Sequence, residues 1–322
     1  MYRRIGVLAV LLALSGCLPP QTGQLRQVHA PILQQNLRLS VPAYVDSGHL
    51  CGPTALAMVL TCMGVSKQPA DLTEALYLPE KQGTLQVEMA AAARLQGMLV
   101  IQLDGRLPEL WTALHHGRVP LLLVNLAYSW WPRWHYVVVT GFSANEQSWW
   151  VNAGQDHPVR WPLPLLERLW IRAGGWGIVL VDPLRLNTQG GDLQVSVLLN
   201  AALDLERVRP DRAALAYAAL AQREVHDPRL LLLEGNAWRE AKDWGRAEQA
   251  YRASIGFFPK DWRGFNNLAD LWHLEGRSCQ PEVQQWLVQA QILAPAAERA
   301  PVLRTAREVQ RACGGYGHGG GD

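Results

Sequence analysis

Apolar residues along this chain change their period near its middle. Leu56, Val59, Leu60 and Met63 fall at helical spacing on one face, which predicts a helix opening at Cys51. Further helices are expected near Pro69–Leu76, from about Leu85 to Gln96 with Gly97 as a C-terminal stop, and over Leu107–His116. Short strands are expected at Leu39–Tyr44 and Leu99–Leu103. From Val119 to Val181 the pattern shortens to the runs PLLLVNL, HYVVVTGF, SWWVN and GWGIVLV, separated by loops holding Asn, Gly, Pro and Asp. Only Pro164–Trp170 reads as helical in that stretch. Helices followed by antiparallel strands predict an α+β domain over residues 38–182.

Residues 183–193, with PLRLNTQGGD at their start, have the composition of a linker. Helical sequence then dominates over 194–312. Gly235, Ala247, Tyr251, Ser254 and Pro259 stand where the tetratricopeptide repeat places its small, aromatic and proline residues. Small residues let paired helices approach, the aromatic fills the groove, and proline ends the second helix. Phe265, Leu268, Ala269, Trp272, Leu287, Ala290 and Pro295 repeat the pattern, and Ala213 and Tyr217 belong to a degenerate earlier copy. The resemblance implies an all-α repeat solenoid whose groove takes a protein partner. Residues 313–322, CGGYGHGGGD, are expected as a flexible tail.

The 322 residues carry a net charge of +2 and no long basic run, which gives no case for nucleic-acid binding. At the N-terminus, Arg3-Arg4 precedes an apolar run from Ile5 to Leu14, too short to cross a bilayer and typical of an export signal. Leu14-Ser15-Gly16-Cys17 resembles the bacterial lipobox, which implies a signal peptide over 1–16, lipidation of Cys17 and a tether over 17–37. Leu18 follows where aspartate would signal inner-membrane retention, so the expected location is the outer membrane of a Gram-negative bacterium, facing the periplasm. Disulfides persist in such a compartment. Cys279 and Cys313 are the expected pair, stapling the end of the helical region.

Cys51 carries the candidate chemistry. Gly52-Pro53 follows it at the helix mouth, where free amides and the dipole's positive end favour a thiolate. A cysteine nucleophile needs a base and a group that orients the base. His135 begins one strand and Asn152 ends the next, so a hairpin would bring them side by side. Cys62 is expected to be buried and His49 to be a loop residue. Trp130, Trp131 and Trp134 are expected to line a substrate cleft. No Cys/His spacing matches a zinc ligand set, and no metal or cofactor is implied.

CGPTALAMVL, then HYVVVTGF, then a strand ending in a polar residue resembles the papain-like double-glycine peptidases that process bacteriocin leaders, and most of all their lipoprotein relatives with a tetratricopeptide region. That resemblance implies a papain-like cysteine peptidase acting on peptide or protein substrates, with Cys51 as nucleophile, His135 as general base and Asn152 as the orienting residue. The family usually places aspartate at or next to the third position, so Asp156 is the alternative. A glutamine usually stands five or six residues before the nucleophile as an oxyanion donor; this chain has Val45 and Asp46 there. Losing such a donor costs on the order of 2.7–4 kcal/mol of transition-state stabilisation. Two other readings therefore stand beside a weak peptidase: a binding scaffold without turnover, and an amidase or acyltransferase using the same thioester chemistry.

Overall fold

A computed structural model describes residues 19–28, 31–46 and 48–314. Cys17, the signal segment and residues 315–322 lie outside them. The chain divides into two compact units. The first holds Val100–Asp182, Thr188–Asp192 and the residues up to Gln96; the second holds Gly97–Leu99, Pro183–Asn187 and the residues from Leu193 on.

In the first unit, α1 (Pro20–Val28) and the short strand β1 (Leu37–Arg38) precede α2 (Cys51–Cys62), α3 (Pro69–Leu76) and α4 (Gln86–Leu95). There follow β2 (Leu99–Gln102), α5 (Leu107–His115), β3 (Leu121–Asn125), β4 (Trp134–Ser143), β5 (Ser148–Asn152), β6 (Val159–Pro162), α6 (Leu163–Ile171) and β7 (Gly177–Val181). The strands form one sheet in the order β2-β7-β3-β4-β5-β6, with β1 also paired to β4. The pairs β3/β4, β4/β5, β5/β6, β3/β7 and β1/β4 are antiparallel.

Both faces of the central strand are covered, which is why HYVVVTGF reads as a nearly unbroken apolar run. Val137 and Val139 of β4 join Leu107, Leu110 and Leu114 of α5 and Leu166 and Trp170 of α6 in one core. The alternate residues Tyr136 and Val138 are also buried. Helix α2 packs against β4, and its residues from Gly52 to Leu60 are all buried. A helix apolar on every side belongs inside a domain.

Two stretches expected to be loose are folded. The tether region holds α1, whose Thr22 and Leu25 are buried. Glu167, itself buried in α6, accepts hydrogen bonds from the Gln21 amide, the Thr22 amide and the Thr22 hydroxyl at 2.9, 2.6 and 2.6 Å. That contact is long-range, and Pro/Gln/Gly composition carries no trace of it. The expected linker holds a short helix, α7 (Leu186–Gln189). It is anchored where Asp192 pairs through two hydrogen bonds with the buried Arg118, which also donates to the carbonyl of Gln189. Residues Leu39–Tyr44 form no strand; the pairing with β4 falls on Leu37–Arg38 instead.

The second unit is helical: α8 (Val195–Glu206), α9 (Pro210–Arg223), α10 (Pro228–Glu240), α11 (Trp244–Phe257), α12 (Trp262–Leu274), α13 (Pro281–Leu293) and α14 (Arg299–Gly314). Each helix packs on its neighbour in sequence, and α14 folds back over α12 and α13. Asp227, Asp243 and Asp261 cap successive helices by accepting from the amides of Arg229, Arg246 and Arg263. The Tyr251 ring lies against Gly235, where any side chain would collide with it. Cys279 and Cys313 form a disulfide with Cα atoms 5.4 Å apart. Helix α14 runs through Gly314 and so takes in the first two residues of the expected tail.

Candidate active site

The first turn of α2 sets the position of Cys51. Leu50 precedes the helix without a side-chain cap, and its amide donates to Asp46 Oδ1 at 3.2 Å. The Asp46 amide in turn donates to the carbonyl of Gly154 at 2.9 Å. Gly154 has φ +91°, and a Cβ there would stand 2.7 Å from Cβ of Asp46, so the loop after β5 reaches the cysteine helix only with glycine at this position. At Gly52 a Cβ would stand 2.3 Å from the Thr84 hydroxyl. The loop before α4 therefore packs directly on the helix mouth. Tyr136 fastens that loop by donating its hydroxyl to the carbonyl of Thr84 at 3.1 Å.

The Asp46 carboxylate, Cys51 Sγ and a ring nitrogen of His135 all lie within 4.8 Å of one another. They sit in a cleft of about 1140 Å³, whose walls include Lys81, Gln86, Arg133 and Trp134. His49 also lines it, although it is exposed and belongs to the loop before α2. Cys51 is half-buried.

His135 Nε2 lies 2.9 Å from the carbonyl oxygen of Ala153. A carbonyl only accepts, so Nε2 carries a proton and the neutral ring keeps its lone pair on Nδ1. Asn152 is buried and turned elsewhere: its Oδ1 accepts from the Gly154 amide at 3.0 Å. The structure thus places Asn152 on the adjacent strand, as the hairpin requires, and gives the ring's hydrogen bond to the main chain one residue later. Asp156 is exposed and paired with His157 in the following loop.

Burial pushes the Cys51 thiol up. The backbone amides of Tyr136, Gly52 and Cys51 pull it down, and the Asp46 carboxylate adds to the rise. The net direction is upward, opposite to what the helix mouth alone predicts, because nearly the whole of α2 is withdrawn from water. Burial, with the charge of Cys51, also raises the Tyr136 phenol.

Of the three tryptophans, Trp134 lines the cleft. Trp130 and Trp131 are 78% and 71% exposed on the preceding loop, where Tyr128 stacks on Trp130. The base of that loop is tied by Asn125, which is 1% exposed. Its Oδ1 accepts from the amides of Ala127 and Arg133, and its Nδ2 donates to the carbonyl of Tyr128. Asn125 carried one sequence signal, a polar residue ending an apolar strand. The Ala153 carbonyl carried none. Cys62 is half-buried, and its thiol lies 3.6 Å from the carbonyl of Ser40.

Residues 29–174 match the model of the Peptidase_C39 like family. No curated protein matches the chain. Among solved structures it is similar to a putative C39-like peptidase from Bacillus anthracis, at 18% identity and a TM-score of 0.38, over 46% of this chain and 98% of that one. The peptidase domain of Streptococcus ComA, a bi-functional ABC transporter of a quorum-sensing pathway, aligns at 20% identity and a TM-score of 0.35, over 44% of this chain and 98% of that one. A double glycine motif protease from an AMS/PCAT transporter, solved in complex with the leader peptide, aligns at 18% identity and a TM-score of 0.34, over 46% and 98%.

Proposed function

We propose that the C39-like peptidase domain carried by this chain cleaves peptide bonds through Cys51 and His135. The observation that carries this reading is the meeting of the Cys51 thiol and the His135 ring at the head of a peptide-sized cleft. His135 Nδ1 takes the thiol proton as Sγ attacks the peptide carbonyl. The ring then returns that proton to the leaving amine, and water releases the acyl group. Ala153 O holds the ring throughout, and Asn152 shapes the loop that presents this carbonyl. The Cys51 amide is the oxyanion donor that remains.

The lipobox-like Cys17 supports a lipid-anchored protein at the outer membrane, facing the periplasm. Among the described residues no helix is long and apolar enough to cross a membrane. In the second unit, repeated aspartate caps and the Gly235–Tyr251 contact support tetratricopeptide-type repeats, with a groove for a protein substrate or partner.

Asp46 favours a second reading, a binding scaffold without turnover. Its carboxylate stands beside the thiol, where it opposes both the thiolate and a developing oxyanion. A thiol-reactive peptide electrophile separates the two. A peptidase is labelled at Cys51, in wild type and in Cys62→Ser, and loses the label in His135→Ala. Unlabelled Cys51 in folded protein leaves the scaffold as the better account.

A further inference from the structure

The cluster at the head of the cleft contains one acidic, one sulfur and one nitrogen side chain, and the acidic and nitrogen ones are each held from behind by the main chain. Its three ligand atoms lie within 4.8 Å of one another. A tetrahedral zinc ion, with bonds of about 2.0–2.3 Å, holds its ligand atoms roughly 3.3–3.8 Å apart, so small side-chain rotations close the gap. Zinc-binding histidines characteristically donate their second ring N–H to a carbonyl, which fixes the tautomer and turns the other lone pair to the metal. His135 makes that bond to Ala153 O. Ligating carboxylates are likewise steadied by a hydrogen bond, and Asp46 Oδ1 accepts one from the Leu50 amide.

We propose that Asp46, Cys51 and His135 form a binding site for a divalent transition-metal cation, zinc foremost, whose fourth position opens into the cleft. A mixed sulfur, nitrogen and oxygen set suits zinc rather than the all-oxygen preference of magnesium or calcium. On binding, the Cys51 S–H bond breaks, an S–metal bond forms and the proton passes to water. His135 contributes its Nδ1 lone pair and keeps the proton on Nε2, Asp46 binds as the carboxylate, and no electron changes hands. The bound metal occupies the nucleophile, so the metal-loaded protein is a reversibly latched form. Binding stands on this geometry alone; the latch rests on the proposed peptidase function.

Cobalt(II) titration of the full chain tests binding, since a thiolate–cobalt charge-transfer band reports the sulfur ligand directly. The expected result is one equivalent bound and displaced by zinc, with the band kept in Cys62→Ser and Cys17→Ser and lost in Cys51→Ser. Asp46→Asn retains an acceptor for the Leu50 amide, and its affinity should fall at least about 10-fold, as should that of His135→Gln. A band that survives in Cys51→Ser overturns the site. So does unchanged affinity in Asp46→Asn and His135→Gln, which would mean an adventitious thiol complex. The latch is read separately: one equivalent of zinc should block electrophile labelling of Cys51, and chelation should restore it. If metal-free Cys51 is unreactive while cobalt still binds as described, the peptidase reading fails and the metal site stands. If Cys51 is labelled but binds no cobalt, the metal site fails and the peptidase reading stands.

Discussion

The imidazole of His135 is held by a main-chain oxygen, that of Ala153, at 2.9 Å from Nε2. A carbonyl only accepts, so it fixes the tautomer, and the ring is oriented by the main chain rather than by a side chain. The side chain of Asn152 is one step removed, bonded to the Gly154 amide.

Asn152→Ala should therefore act through the loop. We expect kcat/KM to fall by about 10-fold or less, with a stability loss of about 1 kcal/mol for the missing hydrogen bond. His135→Ala should remove Cys51 labelling altogether. A drop in Asn152→Ala as large as that in His135→Ala, with the fold intact by circular dichroism, would mean that the amide itself holds the ring.

The thiol makes a pH prediction. Burial raises Cys51 and the Asp46 carboxylate raises it further. Alkylation of Cys51 should rise with pH through a midpoint above the free-thiol value of about 8.5. Asp46→Asn removes a negative charge from beside the thiolate, so its midpoint should move to lower pH. A wild-type midpoint below that of a free thiol contradicts the reading.

Asp46→Gln tests the oxyanion site independently. If an amide at this position serves the intermediate, kcat should rise about 10-fold or more while KM changes little. The hydrogen bond to the Leu50 amide gives the opposing effect. Lower stability with no gain in kcat would assign Asp46 to holding the start of α2.

Asp192 predicts acid sensitivity in the first unit. Burial pushes its carboxyl up, but hydrogen bonds and charge from the buried Arg118 outweigh it, and the net shift is downward. A carboxyl depressed in the folded state adds stability above its unfolded pKa and loses it as pH falls through the folded one. Asp192→Asn takes the carboxylate away from the buried Arg118 guanidinium, and because Asp192 itself is partly exposed the cost should be about 1 kcal/mol near neutrality. Thermal melts should show the gap between wild type and variant closing below the ordinary carboxylate range. A gap independent of pH would contradict the assignment.

Reducing the Cys279–Cys313 disulfide reopens a loop with a sequence separation of 34. The chain-entropy model puts the loss at about 4 kcal/mol. Denaturation of the oxidised and reduced protein should differ by that order in the transition of the helical unit, and equal curves would show that α14 stays docked by its apolar face alone.

What was legible in the sequence was whatever repeats or caps locally. Pro69–Leu76 is helical over the residues expected, and each of the four apolar runs contains a strand of the sheet. Strand β6 was missed because VRWP is short and alternates at an edge, giving no apolar run. The folding of α1 and of residues 186–192 was hidden because it depends on Glu167 and Arg118, charged residues whose partners are distant in the chain. The nearness of Cys51 and His135 was legible in residue type and spacing. The upward shift of the thiol was not, since it reflects three-dimensional burial of α2 rather than its first turn.

The Glu167 clasp on Thr22 also fixes a length. A free stretch over residues 17–37 would let the C39-like domain roam roughly 70 Å from a Cys17 lipidated as proposed, at about 3.5 Å per residue. If Cys17 carries the proposed lipid, only Leu18 and Pro19 stand in sequence between it and α1, docked from Pro20 on, and the reach falls to roughly 10 Å. The volume such an enzyme searches shrinks with the cube of that radius, by about two orders of magnitude. Its substrates would then be those delivered to the bilayer surface, and breaking the clasp would release it to hunt farther out.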